Sequence, residues 1–323
     1  MLWRQSRANI NEMTVAAEVP SGKGTSHAFG YGCGITMALG AAVSFAAARA
    51  GILGGLAPDD MIFARYVVAG LVMLPALIWW GLPDLAGLGW ARGIILSILG
   101  GAPFALLQTG GYAFAPLADG AVIAPSTVTI VSTIAAGILL GETLTRAHLI
   151  GAALVLGGIL LIGWQGITGA TSGDAAWIGD ILFFVSSLFW AGFTVLIRYW
   201  KVDAIRATAV VAVLSLCFFA PCYLVYRGPQ HLASLPLGPL VFQGVVQGLV
   251  QAVLTIMAYN RSIAILGVSR AVLFPALVPA LSILIGIPAV GEMPTALQIA
   301  GLATVSAGML MAVGLLRPRR ATR

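Results

Sequence analysis

The string AVIAPSTVTIVSTIAAGILLGE, residues 121–142, returns as AVLFPALVPALSILIGIPAVGE at residues 271–292, shifted by 150 positions without a gap. Ala121 pairs with Ala271, Pro125 with Pro275, Ser132 with Ser282, and Gly141-Glu142 with Gly291-Glu292. Thr145 and Thr295, Gly151 and Gly301, and Gly158 and Gly308 carry the register further. A shift of nearly half the 323-residue chain means that two similar halves are joined. A repeat of this kind decides the architecture before any local feature does.

Around that string the chain is 59% hydrophobic and 9% charged, whereas ordinary soluble domains are about 25% charged. So few charges cannot cover the surface of a soluble protein this long. The apolar residues fall in blocks of about 20, the length that crosses a hydrocarbon core of about 30 Å as a helix. The chain is therefore expected to be a polytopic membrane protein with the lipid bilayer as its solvent. Its formal charge of +6 is scattered over connections rather than gathered on one face, which argues against nucleic acid as a partner. Cys33, Cys217 and Cys222 lie in apolar runs without metal-ligand spacing or a disulfide framework, and no cofactor is implied.

Ten apolar segments are expected near 31–50, 61–81, 93–114, 119–141, 147–165, 178–199, 206–226, 239–261, 268–290 and 296–316. Residues 1–28 read as a flexible tail in which Met13 is an alternative start, and residues 317–323 as a basic tail. With both termini cytoplasmic, the inner connections and tails collect fourteen lysines and arginines, Arg92, Arg146, Arg198 and Arg270 among them. Arg49 and Arg227 alone fall outside, as the positive-inside rule requires. Each half then holds five spans, an odd number, so the second half starts from the opposite face. The expected fold is all-α, ten transmembrane helices as two inverted five-helix repeats, residues 29–166 and 177–316. Inverted repeats are a common transporter plan, with the substrate site near the midplane.

The residues also resemble a known family. GDILFFVSSLFWAGFTVLIR, from Gly179 to Arg198, is similar to the start of a repeat of the EamA family, in the drug/metabolite transporter superfamily. GAAVSFAAAR, Gly40 to Arg49, followed by Ala64-Arg65, is a weaker counterpart that lacks the tryptophan found at Trp190. The intrahelical proline followed by Gly-Glu-x-x-Thr occurs twice, at Pro125 with GETLT and at Pro275 with GEMPT. The resemblance spans about residues 30 to 316, and its specificity lies in the order of these motifs. It implies ten helices, a bacterial inner membrane, and transport, often export, of small metabolites such as amino acids.

Several residues are candidates for the pathway. Gln243, Gln247, Gln251, Thr255 and Tyr259 recur every four residues, on one face of an α-helix that drifts by about 40° per step. Amides facing lipid are costly, so this stripe is expected to face the bundle interior. There Gln247, Gln251, Thr255 and Tyr259 either meet a polar substrate or bond to neighbouring helices. Gln108 and Tyr112 form a second pair, and aligning the halves with one gap sets Gln108 opposite Tyr259. Trp190 lines a cavity or packs. Gly244 and Gly248 form a GxxxG helix contact beside the stripe. Pro125 and Pro275 each remove a helix hydrogen bond and are expected to act as a symmetric pair of hinges. Arg65 either snorkels to the outer surface or binds an anion. Glu142 and Glu292 are expected to cap the helices that follow them.

No metal site, nucleophile elbow or phosphate loop is present in the sequence, which argues against an enzyme. The expected function is a secondary transporter that exports a small organic substrate by alternating access. The alternatives are a lipid or glycolipid translocator, and a membrane scaffold or sensor. A homodimer is left open.

Overall fold

A computed structural model describes residues 27–140, 146–168, 175–271 and 273–312. Both tails, and Glu142 with Thr145 at the close of the first repeat, lie outside the described residues. Among the described residues there is no strand. The long helices are α1 (His27–Leu53), α2 (Pro58–Gly81), α3 (Trp90–Gly111), α4 (Leu117–Leu140) and α5 (Arg146–Thr168), then α6 (Ala176–Tyr199), α7 (Ala204–Arg227), α8 (Leu237–Leu266), α9 (Leu273–Val290) and α10 (Ala296–Ala312). Eight are long and apolar enough to cross a membrane. At the two other expected spans, α5 and α10 carry the shorter apolar stretches Arg146–Ile162 and Ala296–Met311, and both helices border undescribed residues.

Local chemistry sets the helix ends. α2 opens on Pro58, with Asp60 accepting the Ala57 N–H at 3.2 Å, which suits a helix start with its unpaired donors and positive dipole end. Asp203 caps α7 by accepting from Ile205 and Arg206 N–H at 3.1 and 2.9 Å. α10 starts with a reciprocal cap between Thr295 and Gln298: Gln298 N–H donates to Thr295 Oγ1 at 3.2 Å, and Thr295 N–H to Gln298 Oε1 at 2.9 Å. Two helices are irregular inside. α3 is interrupted at Gly101, between Trp90–Gly100 and Ala102–Gly111. Residues Gly244–Thr255 of α8 are π-helical, an arrangement that is rare, most often a single turn, and common at functional sites.

The helices pack in sets. α5 pairs with α10, α2 with α7, and α4 with α9. α1 lies against α8 and α9, and α6 lies against α3 and α4. Exchanging each helix for the one five places away maps the first three pairings onto themselves, α1–α8 onto α6–α3, and α1–α9 onto α6–α4. Small residues make the closest approaches, as they do where backbones must meet within lipid. A Cβ on Gly158 would stand 2.8 Å from the Gly301 carbonyl oxygen, and one on Gly308 would stand 2.7 Å from that of Gly151. The glycines matched by the repeat, 151 with 301 and 158 with 308, thus meet crosswise, each touching the other's partner. Gly244 and Gly248 press α8 onto Ala64, Arg65 and Val68 of α2.

Candidate functional site

The polar side chains form two seams and one node. In the first seam α8 faces α1. Gln243 and Gln247 donate through Nε2 to the carbonyl oxygens of Ala47 and Ser44, at 2.6 and 2.7 Å. Further along, Gln251 Oε1 and Thr255 Oγ1 are buried without a partner. Tyr259 then joins an apolar cluster that includes Met37, Ala38, Ala41 and Phe274. The stripe faces the protein as its spacing predicts, but it splits by role. Gln243 and Gln247 tie two helices together through Nε2, while Gln251 Oε1 and Thr255 Oγ1, and also Gln243 Oε1, are buried without a partner.

In the second seam α6 faces α3. Ser186 Oγ donates to Gln108 Oε1 at 2.7 Å, and Gln108 Nε2 is buried without a partner. Tyr112, only 1% exposed, lays its ring 4.8 Å from that of Phe183, and its hydroxyl also lacks a partner. Trp190 is sandwiched between Phe104 and Phe193, with centroids at 5.0 and 4.9 Å. The seven expected site residues therefore fall into two groups, Gln247, Gln251, Thr255 and Tyr259 on one seam, and Gln108, Tyr112 and Trp190 on the other.

The node joins both halves. Arg49, at the end of α1, contacts Glu292 Oε1 through Nε at 2.6 Å and through Nη2 at 2.5 Å, and donates from Nη1 to the Tyr112 carbonyl oxygen. Glu292 Oε2 accepts the Leu117 N–H at 2.8 Å. Gln298 Nε2 donates to Asp119 Oδ1 at 2.8 Å, and Asp119 is 3% exposed. Pro116, Leu117, Ala118, Glu292 and Gln298 line a cleft here. An ion pair, Arg227 with Asp59 at 2.6 Å, and a hydrogen-bond contact of His231 Nε2 with Asp60 Oδ1 at 3.0 Å gather at this end as well. Asp60 also accepts from the Tyr223 hydroxyl at 2.6 Å.

The node revises one expectation and extends another. Glu292 caps α4 rather than the following α10, because Thr295 and Gln298 already satisfy the start of α10. Arg49, read in the sequence only as a topology charge, is the partner of Glu292. Its position among so few basic residues at that end was the available signal. Of the two matched prolines, Pro125 lies inside α4, whereas Pro275 is the third residue of α9, in a first turn whose N–H groups have no helix partner; Ala121 and Ala271, four residues before them, are both fully buried. Ser126 Oγ donates to the Val122 carbonyl, Thr129 Oγ1 to that of Pro125 at 2.8 Å, and Ser282 Oγ to that of Val278 at 2.8 Å. Such hydroxyl back-bonding often bends helices.

Long apolar helices, closely packed glycines and buried polar seams define a multi-pass membrane protein of the transporter type. The EamA-like transporter family matches residues 28–164 and again residues 177–314, and the chain belongs to that family, within the drug/metabolite transporter superfamily. The uncharacterized transporter YyaM of Bacillus subtilis (strain 168) is 27% identical over 227 residues, which cover 69% of this chain and 73% of that protein. A solved crystal structure, 19% identical, covers 86% of this chain and 96% of its own with a TM-score of 0.58, a likeness of fold.

Proposed function

We propose that the chain is a secondary transporter of small organic metabolites, amino acids or related compounds, built as two inverted five-helix repeats at residues 29–166 and 177–316. The observation that carries this reading is the crosswise meeting of the matched glycines. Gly151 meets Gly308 while Gly158 meets Gly301, so position rises along α5 as it falls along α10. Equivalent helices running in opposite directions are what inversion requires, and the helix pairings that map onto one another support a bundle built of two similar halves. With ten spans and cytoplasmic termini, in a bacterial inner membrane, the Arg49–Glu292 node lies on the outer face.

In alternating access, two similar halves exchange conformations around one site. The node holds one end of the bundle closed by joining α1, the start of α4 and the α9–α10 connection. Substrate then meets the free polar atoms of Gln251, Thr255, Gln108 and Tyr112, with Trp190 as an aromatic wall and Pro125 and Pro275 as the points of flexure. The direction we propose is outward, as the family resemblance implies. The test is flux in liposomes that hold the purified protein, over a panel of labelled amino acids. Saturable flux of at least one compound above protein-free liposomes is expected, and no flux of any member overturns the reading.

A further inference from the structure

Where α3 breaks, the bundle holds a set of polar groups that neither seam uses. Gly101 lies outside the helical region, with φ −99° and ψ −144°. A Cβ on it would stand 2.1 Å from the Ser97 carbonyl oxygen and 2.4 Å from Ser215 Oγ, so only glycine fits. The break gives the ten-residue helix Ala102–Gly111 an N-terminus of its own inside the apolar stretch. A helix start carries roughly half a positive charge. In transporters, half-helix starts at mid-membrane face the anionic groups of substrates.

The side chains around this start are consistent with an anion. Ser215 Oγ already accepts the Ala102 N–H at 3.3 Å and Pro103 has no N–H, so this start acts on an anion through its dipole rather than through those two positions. The Tyr66 hydroxyl, on a residue 2% exposed, lies in reach of both Ser215 and the Arg65 guanidinium, yet is aligned with neither and has no partner. Ser97 Oγ, on a residue 9% exposed, has none either. Arg65 stands seven positions into α2, about 10 Å of helix rise from its start. Its Nε is buried without a partner, and it forms no ion pair with a described carboxylate. A charged residue at such depth is costly and is a candidate for function; its guanidinium carbon stands 5.5 Å from the Tyr66 ring centroid, a cation–π contact that leaves room for an anionic partner.

We infer that Arg65, Tyr66 and Ser97, with the helix start at Ala102, bind the carboxylate of the transported metabolite. A guanidinium and a helix start favour an anion, and the planar fork of arginine fits a carboxylate through paired hydrogen bonds. This inference rests on the transporter reading and supplies its substrate class.

The experiment pairs L-phenylalanine, L-leucine and L-threonine with their carboxamides, which keep the side chain and the ammonium group. Binding is read by calorimetry on purified protein and flux in liposomes. The wild type is expected to bind at least one acid about 30-fold more tightly than its amide, the range of a hydrogen bond to a charged group. Arg65→Gln abolishes the preference, and Arg65→Lys keeps part of it. Ser97→Ala, which removes one hydroxyl, weakens acid binding about 3- to 10-fold and decides the matter if Arg65→Gln fails to fold. Equal binding of acid and amide by the wild type, or unchanged acid binding by Arg65→Gln or Ser97→Ala, overturns the site while liposome flux keeps the transporter reading. Acid-selective binding without flux overturns the transporter reading and leaves the site standing. A panel that neither binds nor moves overturns both.

Discussion

Glu292→Gln separates the two tasks of the node. The glutamine keeps an acceptor for the Leu117 N–H but cannot pair with Arg49. Side-chain exposures of 14% for Arg49 and 25% for Glu292 place the pair between surface and buried. Surface pairs give about 0 to 1 kcal/mol, and removing one partner of a buried pair costs about 3 to 5 kcal/mol. Two charge-assisted contacts to one carboxylate oxygen at 2.5 and 2.6 Å put the interaction near the middle of that span, a coupling of about 2 kcal/mol. The assay is a double-mutant cycle over Arg49→Gln, Glu292→Gln and the double variant, from unfolding midpoints in micelles. The double variant should lose about 2 kcal/mol less than the sum of the singles. A coupling within about 0.5 kcal/mol of zero refutes the reasoning, since independent sites add to that tolerance. Each single variant should also raise the labelling rate of a cysteine at Ala118, which is 8% exposed and lines the cleft beside Glu292.

Further outcomes follow from the seams and close contacts. Gln247→Leu loses its bond to the Ser44 carbonyl and should cost about 1 kcal/mol, read as a lower unfolding midpoint. Gln251→Ala removes a buried oxygen that no neighbour satisfies; flux should fall about tenfold, the loss of one substrate hydrogen bond, with the midpoint unchanged. Gly248→Leu places a Cβ 2.6 Å from the Arg65 carbonyl oxygen, so the yield of folded protein should collapse in size-exclusion chromatography. Pro125→Ala restores a helix hydrogen bond inside α4 and should slow liposome turnover with substrate affinity unchanged.

The repeat, the helix positions and the inward direction of the polar stripe were legible because they depend on periodicity, and a helix carries its period in the sequence. What distance in space decides was less legible. Arg49 and Glu292 are 243 positions apart, although the Thr295-x-x-Gln298 capping box beside Glu292 was a readable sign that α10 is capped from within. The π-helical turns of Gly244–Thr255 in α8 have no mark in the residue types of that segment. The break in α3 had a local signal that hydropathy hides, the run Gly100-Gly101-Ala102-Pro103 inside an apolar block. Paired glycines beside a proline punctuate helices. Arg65 was visible as an unusual charge, but the groups around it come from α2, α3 and α7, which meet only on folding.

The central claim is that the two ends of the bundle open in turn. Reactive cysteines at Ala118, beside the node, and at Ile265, where α8 nears Gly30 at the opposite end, report on each end in a chain with Cys33, Cys217 and Cys222 replaced. A transported compound should raise the labelling rate at one position and lower it at the other. Rates that rise together, or that stay unchanged while flux proceeds, would contradict alternating access.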